Sequence, residues 1–188
     1  MSKGNSGLFS GTKGANADIF CQVKNVISAR TANLNLNEYP RLKSFSAKQR
    51  KNIANKIKAR TATKQEYLKY NSDRRFSKRR QEGVKQFWIQ EKMRILSGQA
   101  PTRQWSKEQI KAILNNERPK YKGKTIQGHH MYSANRYPHL ANKGSVIFPV
   151  TFNEHLYGWH GGNFKNSLPG HPINKPIFYN FSGGKKND

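Results

Sequence analysis

Five of the six histidines, at positions 129, 130, 139, 155 and 160, fall between residues 125 and 162. That window constrains the fold more than any other part of the chain. A lone histidine is ordinarily a packed or hydrogen-bonded side chain, and packing alone does not explain five so close together. The flanking residues give the window a shape. Residues 125–133 read as a strand or hairpin arm. Residues 134–144, with Pro138, Asn142 and Gly144, read as a loop, and 146–150 as a second short apolar strand. Thr151 and Glu154 then form a capping-box pattern that starts a short helix with His155 in its first turn, and Gly161-Gly162 ends it.

Adjacent histidines on a strand point to opposite sides. One can hold a cation while the next faces a substrate, and histidines on the following helix complete the metal site. Phosphodiester hydrolysis uses these parts. A neutral imidazole takes a proton from water, a divalent cation stabilises the departing oxygen, and basic residues position the anion. On this reading His130 is the base, His129 a metal ligand, and His155 and His160 further ligands. The last two are five residues apart, about 140° around an ideal α-helix. Either Gly158 loosens the turn, or the helix ends before His160, or only one of them binds. His139 is assigned a structural or phosphate-contact role, and His171, between Gly170 and Pro172, an exposed one. Asn142 and Asn153 are candidates to brace the loop. Tyr132, Tyr137, Trp159 and Phe164 read as core.

Charge points to the partner. Lys and Arg number 35 against 10 Asp and Glu, a net charge of +25, which favours a polyanion, nucleic acid before an anionic membrane. Residues 41–80 hold fifteen basic and two acidic side chains. Helical spacing of Ile53 and Ile57, then Tyr67, Leu68 and Phe76, then Val84, Phe87, Trp88 and Ile95, predicts two or three basic helices. Arg74, Arg75, Lys78, Arg79 and Arg80, with Lys122 and Lys124, are the expected phosphate contacts, and binding should weaken with salt. Trp105, Ser106, Gln109 and Ile110 predict a capped helix that stops before Arg118-Pro119 and packs on the histidine centre.

With 34% hydrophobic residues against a globular norm of roughly 45–50%, one modest core is expected. The fold class is α+β: a small strand–strand–helix core (101–181) preceded by basic helices (47–100), a flexible Gly/Ser/Asn-rich N-terminal region (1–46) and a polar tail (182–188), with a last strand at 178–181. Cys21 is the single cysteine, so metal ligation falls to His, Asp, Glu or Asn. The first residues lack the apolar core of a signal peptide, and no apolar run approaches bilayer-spanning length.

Gly128-His129-His130, Tyr137-Pro138-His139-Leu140-Ala141, Phe148-Pro149, Asn153-Glu154-His155-Leu156 and Trp159-His160-Gly161-Gly162-Asn163 together resemble the GHH-type branch of the HNH/endonuclease VII nuclease superfamily. These are ββα-metal (His-Me finger) domains, common as toxins of bacterial polymorphic toxin systems. The resemblance spans about residues 120–175, and the glycine-rich residues 4–14 resemble the stretch often found ahead of such domains. It implies that His129 binds one divalent ion (Mg²⁺, Mn²⁺, Ni²⁺ or Zn²⁺) and His130 activates water, that DNA is the substrate with RNA as the alternative, and that an acidic immunity protein is the partner. It further implies delivery by a dedicated system or as part of a larger toxin, with action in a target-cell cytoplasm. The family's middle Asn, which begins the second strand, is replaced here by Ser145-Val146, leaving its bracing role to Asn142 or Asn153 or unfilled. A non-enzymatic basic nucleic-acid-binding protein and a phage or mobile-element nuclease are the alternative readings.

Overall fold

A computed structural model describes residues 15–166, with side chains from Val23 onward. The expected strand at 178–181, the tail, His171 and the glycine-rich 4–14 lie outside the described residues. The chain is α+β. Four α-helices come first: α1 (Ala15–Thr31), α2 (Ala47–Lys58), α3 (Lys64–Leu96) and α4 (Lys107–Leu114). Two antiparallel hairpins follow: β1 (Lys120–Tyr121) with β2 (Lys124–Thr125), and β3 (Gln127–His130) with β4 (Ile147–Val150). A π-helical turn, Glu154–Trp159, closes the described chain.

The helix starts follow side-chain chemistry. Ser46, Thr63 and Ser106 each accept the backbone N–H three residues on, and Gln49, Glu66 and Gln109 bond back to the cap. The basic region makes two helices. Gly83 sits in mid-helix without breaking α3, which runs 33 residues, about 50 Å.

The β3–β4 hairpin is covered on both faces. Its register pairs His129 with Phe148 and His130 with Ile147, and directly opposed residues share a face. One face joins Met131, Phe148 and Val150 to Trp159 and to Val23 and Ile27 of α1. The other sets Ile147 and Val146 against Phe87 of α3, with Tyr137 and Leu140 of the intervening loop. α1 is a correction to the extended chain expected at its position: Val23 and Ile27, four apart, lie on one side of the helix and reach the core. α4 also differs from expectation. Its Ile113 packs with Trp105, Ile126, Trp88 and Tyr121, so it buttresses the approach to β3 and not the histidines themselves.

Gly128 is one glycine that this layering favours. A methyl there would come within 3.0 Å of Val84 Cγ1 on α3 and 2.9 Å of Ile147 Cγ2, closer than packed carbon atoms approach.

A buried carboxylate ties the helices to the following segment. Glu91, fully buried, accepts from the Thr102 backbone N–H at 2.7 Å, Trp105 Nε1 at 2.8 Å and Arg94 at 2.8 Å. Arg30 of α1 donates to the Thr102 hydroxyl at 2.9 Å. Removing one side of a buried ion pair strands its partners, a loss of about 3–5 kcal/mol. Glu91→Ala should lower unfolding stability by that much in a urea titration; a change under about 1 kcal/mol would mean that the junction does not need the carboxylate.

Candidate metal centre

His129 sits on the α1 side of β3, buried, with its ring stacked on Trp159 at 4.8 Å between centroids. The rings of His155 and His160 meet it edge-on at 5.1 and 5.2 Å, and lie 4.9 Å from each other. One ligand nitrogen from each of the three histidines lies within 4.8 Å of the other two.

The five-residue spacing of His155 and His160 is reconciled by the π-turn. The wider i→i+5 winding of a π-turn brings residues five apart closer to one side than an α-helix does. The turn begins at the predicted capping box: Thr151 N donates to Glu154 Oε2 at 2.7 Å and Glu154 N to Thr151 Oγ1 at 3.2 Å. Arg103 holds the same carboxylate through two ion-paired hydrogen bonds, at 2.8 and 3.0 Å, and reaches the Pro149 carbonyl at 3.0 Å. The whole arrangement is buried. His160 ends the turn, and Gly161 and Gly162 take positive φ after it.

The donor set fits a divalent ion. His155 Nδ1 lies 2.6 Å from Gln127 Oε1, and His160 Nδ1 bonds the Asn166 carbonyl. Both acceptors require the proton on Nδ1, which leaves each Nε2 lone pair for a metal. Nitrogens roughly 2.1 Å from one ion in a tetrahedral site stand about 3.4 Å apart, so from a separation within 4.8 Å the rings close by up to about 1.4 Å. Burial, then the neighbouring imidazoles, hold His129 well below the ordinary imidazole range. Burial, then His160, Arg80 and His130, lower His155 to about 4. Both are therefore neutral, and ready to ligate, at pH 7.

His130 faces the other way. Its Nε2 lies 3.0 Å from the Ala141 carbonyl oxygen, which can only accept, so the proton sits on Nε2 and the lone pair on Nδ1. Burial lowers its pKa to about 4; the carbonyl bond opposes that and Arg80 adds to it. His130 and His155 line a cavity of about 880 Å³ with Ser77, Arg80, Arg118 and Gln127.

The other predicted residues are dispersed. Arg80 is at the cavity. Arg74, Arg75 and Lys78 are exposed on α3. Arg79 donates to the His139 carbonyl at 3.1 Å and Asn142 Oδ1 at 2.9 Å, so it and Asn142 brace the loop. Lys122, Lys124 and Asn153 share a separate small recess with Phe152. His139 has its Nε2 2.7 Å from the Asn35 carbonyl oxygen. Phe164, expected in the core, is half exposed, with its ring 5.1 Å from that of His155.

Sequence reasoning missed Gln127, Arg103, Arg118 and Asn166. Strand alternation places Gln127 on the face of His129 and could have found it; a backbone carbonyl such as that of Asn166 leaves no sequence signal. Loss of an outer hydrogen-bond partner weakens metal binding about 10–100-fold. Gln127→Ala should do so for Ni²⁺ or Zn²⁺ in competition with a chelating dye, with His155→Ala weaker still. Unchanged affinity in both would remove His155 from the ligand set.

No curated protein and no solved structure matches the chain. A family match covers residues 71–151, starting within α3, upstream of where the resemblance in the histidine window begins, and stopping short of His155 and His160. Within it lie α3 from Asn71, Gly128-His129-His130 and β4. Residues 71–151 match the family described as GHH signature containing HNH/Endo VII superfamily nuclease toxin.

Proposed function

We propose that the protein is a divalent-metal-dependent endonuclease that hydrolyses DNA phosphodiesters as an antibacterial toxin. The observation that carries this reading is one strand that turns two adjacent imidazoles to opposite faces. His129 converges with His155 and His160 on the α1 side, and His130 borders a cavity walled by Arg80 and Arg118. His129, His155 and His160 would hold the ion, which when bound supplies Lewis-acid stabilisation of the phosphate and the departing oxygen.

The chain's own groups do the rest. Arg80 and Arg118 draw a phosphate into the cavity and orient it. The Ala141 carbonyl keeps the Nε2 proton of His130 in place, so Nδ1 takes the proton from the attacking water. Arg74 and Lys78 continue the basic surface of α3 away from the cavity and hold flanking phosphates. The family match supports a toxin context, in which an acidic immunity protein would be the partner and the interior of a target cell the place of action.

His130→Ala should reduce plasmid nicking at least about 100-fold while retention on a DNA column survives; near-wild-type cleavage would remove His130 as the base, and cleavage undiminished by EDTA would remove the metal. The pH dependence is displaced from the ordinary imidazole range near 6.5. A base works deprotonated, and His130 is lowered to about 4, so nicking should persist through pH 5 and be lost as pH falls through about 4. A midpoint at 6.5 would show His130 solvated and this geometry wrong. Arg74→Glu with Lys78→Glu should raise KM and lessen the salt dependence of binding with kcat little changed; an unaltered salt slope would exclude them from the phosphate track.

A further inference from the structure

Glycine in mid-helix is destabilising by about 1 kcal/mol relative to alanine, yet α3 carries Gly83, buried, at its centre. What faces it is the loop between the strands. A methyl built on Gly83 would stand 3.3 Å from the Ala141 carbonyl carbon, 3.4 Å from the Asn142 carbonyl carbon, and well inside contact distance of the Ala141 oxygen. That oxygen is the one bonded to His130 Nε2 at 3.0 Å. One helical turn earlier on the same side, Arg79 clamps the His139 carbonyl and the Asn142 side chain. α3 therefore grips the loop on both sides of a single carbonyl group.

We propose that Gly83 is a positioning residue for His130: by admitting the Ala141 carbonyl against α3, it sets the ring orientation of His130 and keeps the proton on Nε2 and the lone pair on Nδ1. The inference rests on His130 being the base for its catalytic consequence, but the tautomer is measurable without any reaction. A backbone oxygen cannot swing aside as a side chain does. In Gly83→Ala the loop must retreat from the helix, the carbonyl leaves Nε2, and the ring is free to exchange tautomers.

The test uses the full metal-free chain with ¹⁵N-labelled histidine and long-range proton–nitrogen correlation spectra. Wild type should show His130 as a single Nε2–H tautomer. Gly83→Ala should show averaged nitrogen shifts at His130, with those of His129 and His155 unmoved. In the metal-loaded protein it should lower kcat at least about 10-fold with KM and metal affinity within about twofold. Retention of the single tautomer, or an averaged tautomer with unchanged kcat, would overturn the proposal. Should Gly83→Ala not fold, Asn142→Ala releases the same loop from Arg79 and should average the tautomer, and Asn142→Asp, which keeps an acceptor, should restore it; an unperturbed tautomer in Asn142→Ala overturns the proposal equally. If His130→Ala retains activity, the base assignment fails, while the spectra still decide whether Gly83 sets the ring.

Discussion

β3 is packed on both faces, and everything functional in this fold depends on that. Successive side chains of a strand face opposite ways, but the alternation separates two adjacent imidazoles only if each side has its own buried layer. α1 and Trp159 make one layer around His129. α3, the Ala141 carbonyl and Ile147 make the other around His130. A strand covered on one face would leave one of the two rings in water, with an ordinary pKa and no fixed tautomer. Here burial lowers both, which keeps each ring neutral, as the proposed ligand and base roles require.

The π-turn is the second requirement. An α-helical turn would point His155 and His160 apart, and the site would lose a donor. A lone π-turn is a poor structure, because its hydrogen bonding is unfavourable outside a supporting frame. This one is framed at its start by the Thr151–Glu154 capping box locked to Arg103, and at its end by Gly161 and Gly162 with positive φ. Gln127 and Asn166 fix the rings that the turn presents. The irregularity thus stands where residues from four segments converge, which is why the short helix alone did not disclose it.

Much of this was legible in the sequence, and the limits are physical. Capping boxes at Ser106 and Thr151 are local side-chain chemistry, so the helix starts could be read directly. The histidine pair on a strand followed by a helix start located the centre, because alternation and capping are both short-range rules. α1 was not legible: its Gly- and Asn-rich surroundings read as flexible, and among its described side chains Val23 and Ile27 tie it to a core built from residues far later in the chain. Continuous α3 was also missed as one element, since Gly83 weakens the local helix signal and the contact that justifies it is with Ala141, distant in sequence. Asn142 accepts a hydrogen bond from Arg79, a pairing that no spacing rule predicts.

The scarcity of acidic residues sharpens the same argument. The chain of net charge +25 has ten Asp and Glu, and among the described residues three of them are buried at junctions: Asp73, Glu91 and Glu154. Asp73 accepts from Arg41 and the Phe45 backbone, joining the extended segment before α2 to α3. Glu91 joins α3 to the segment before α4, and Glu154 joins Arg103 to the π-turn. Charged hydrogen bonds exceed neutral ones roughly twofold in strength, so three such junctions supplement an apolar core that is small for the chain. They also place negative charge inside, away from the surface. The basic side chains of α3 and the cavity rim are then left facing solvent with little local neutralisation, and the fold's internal cohesion and its external attraction for a polyanion come from one distribution of charge.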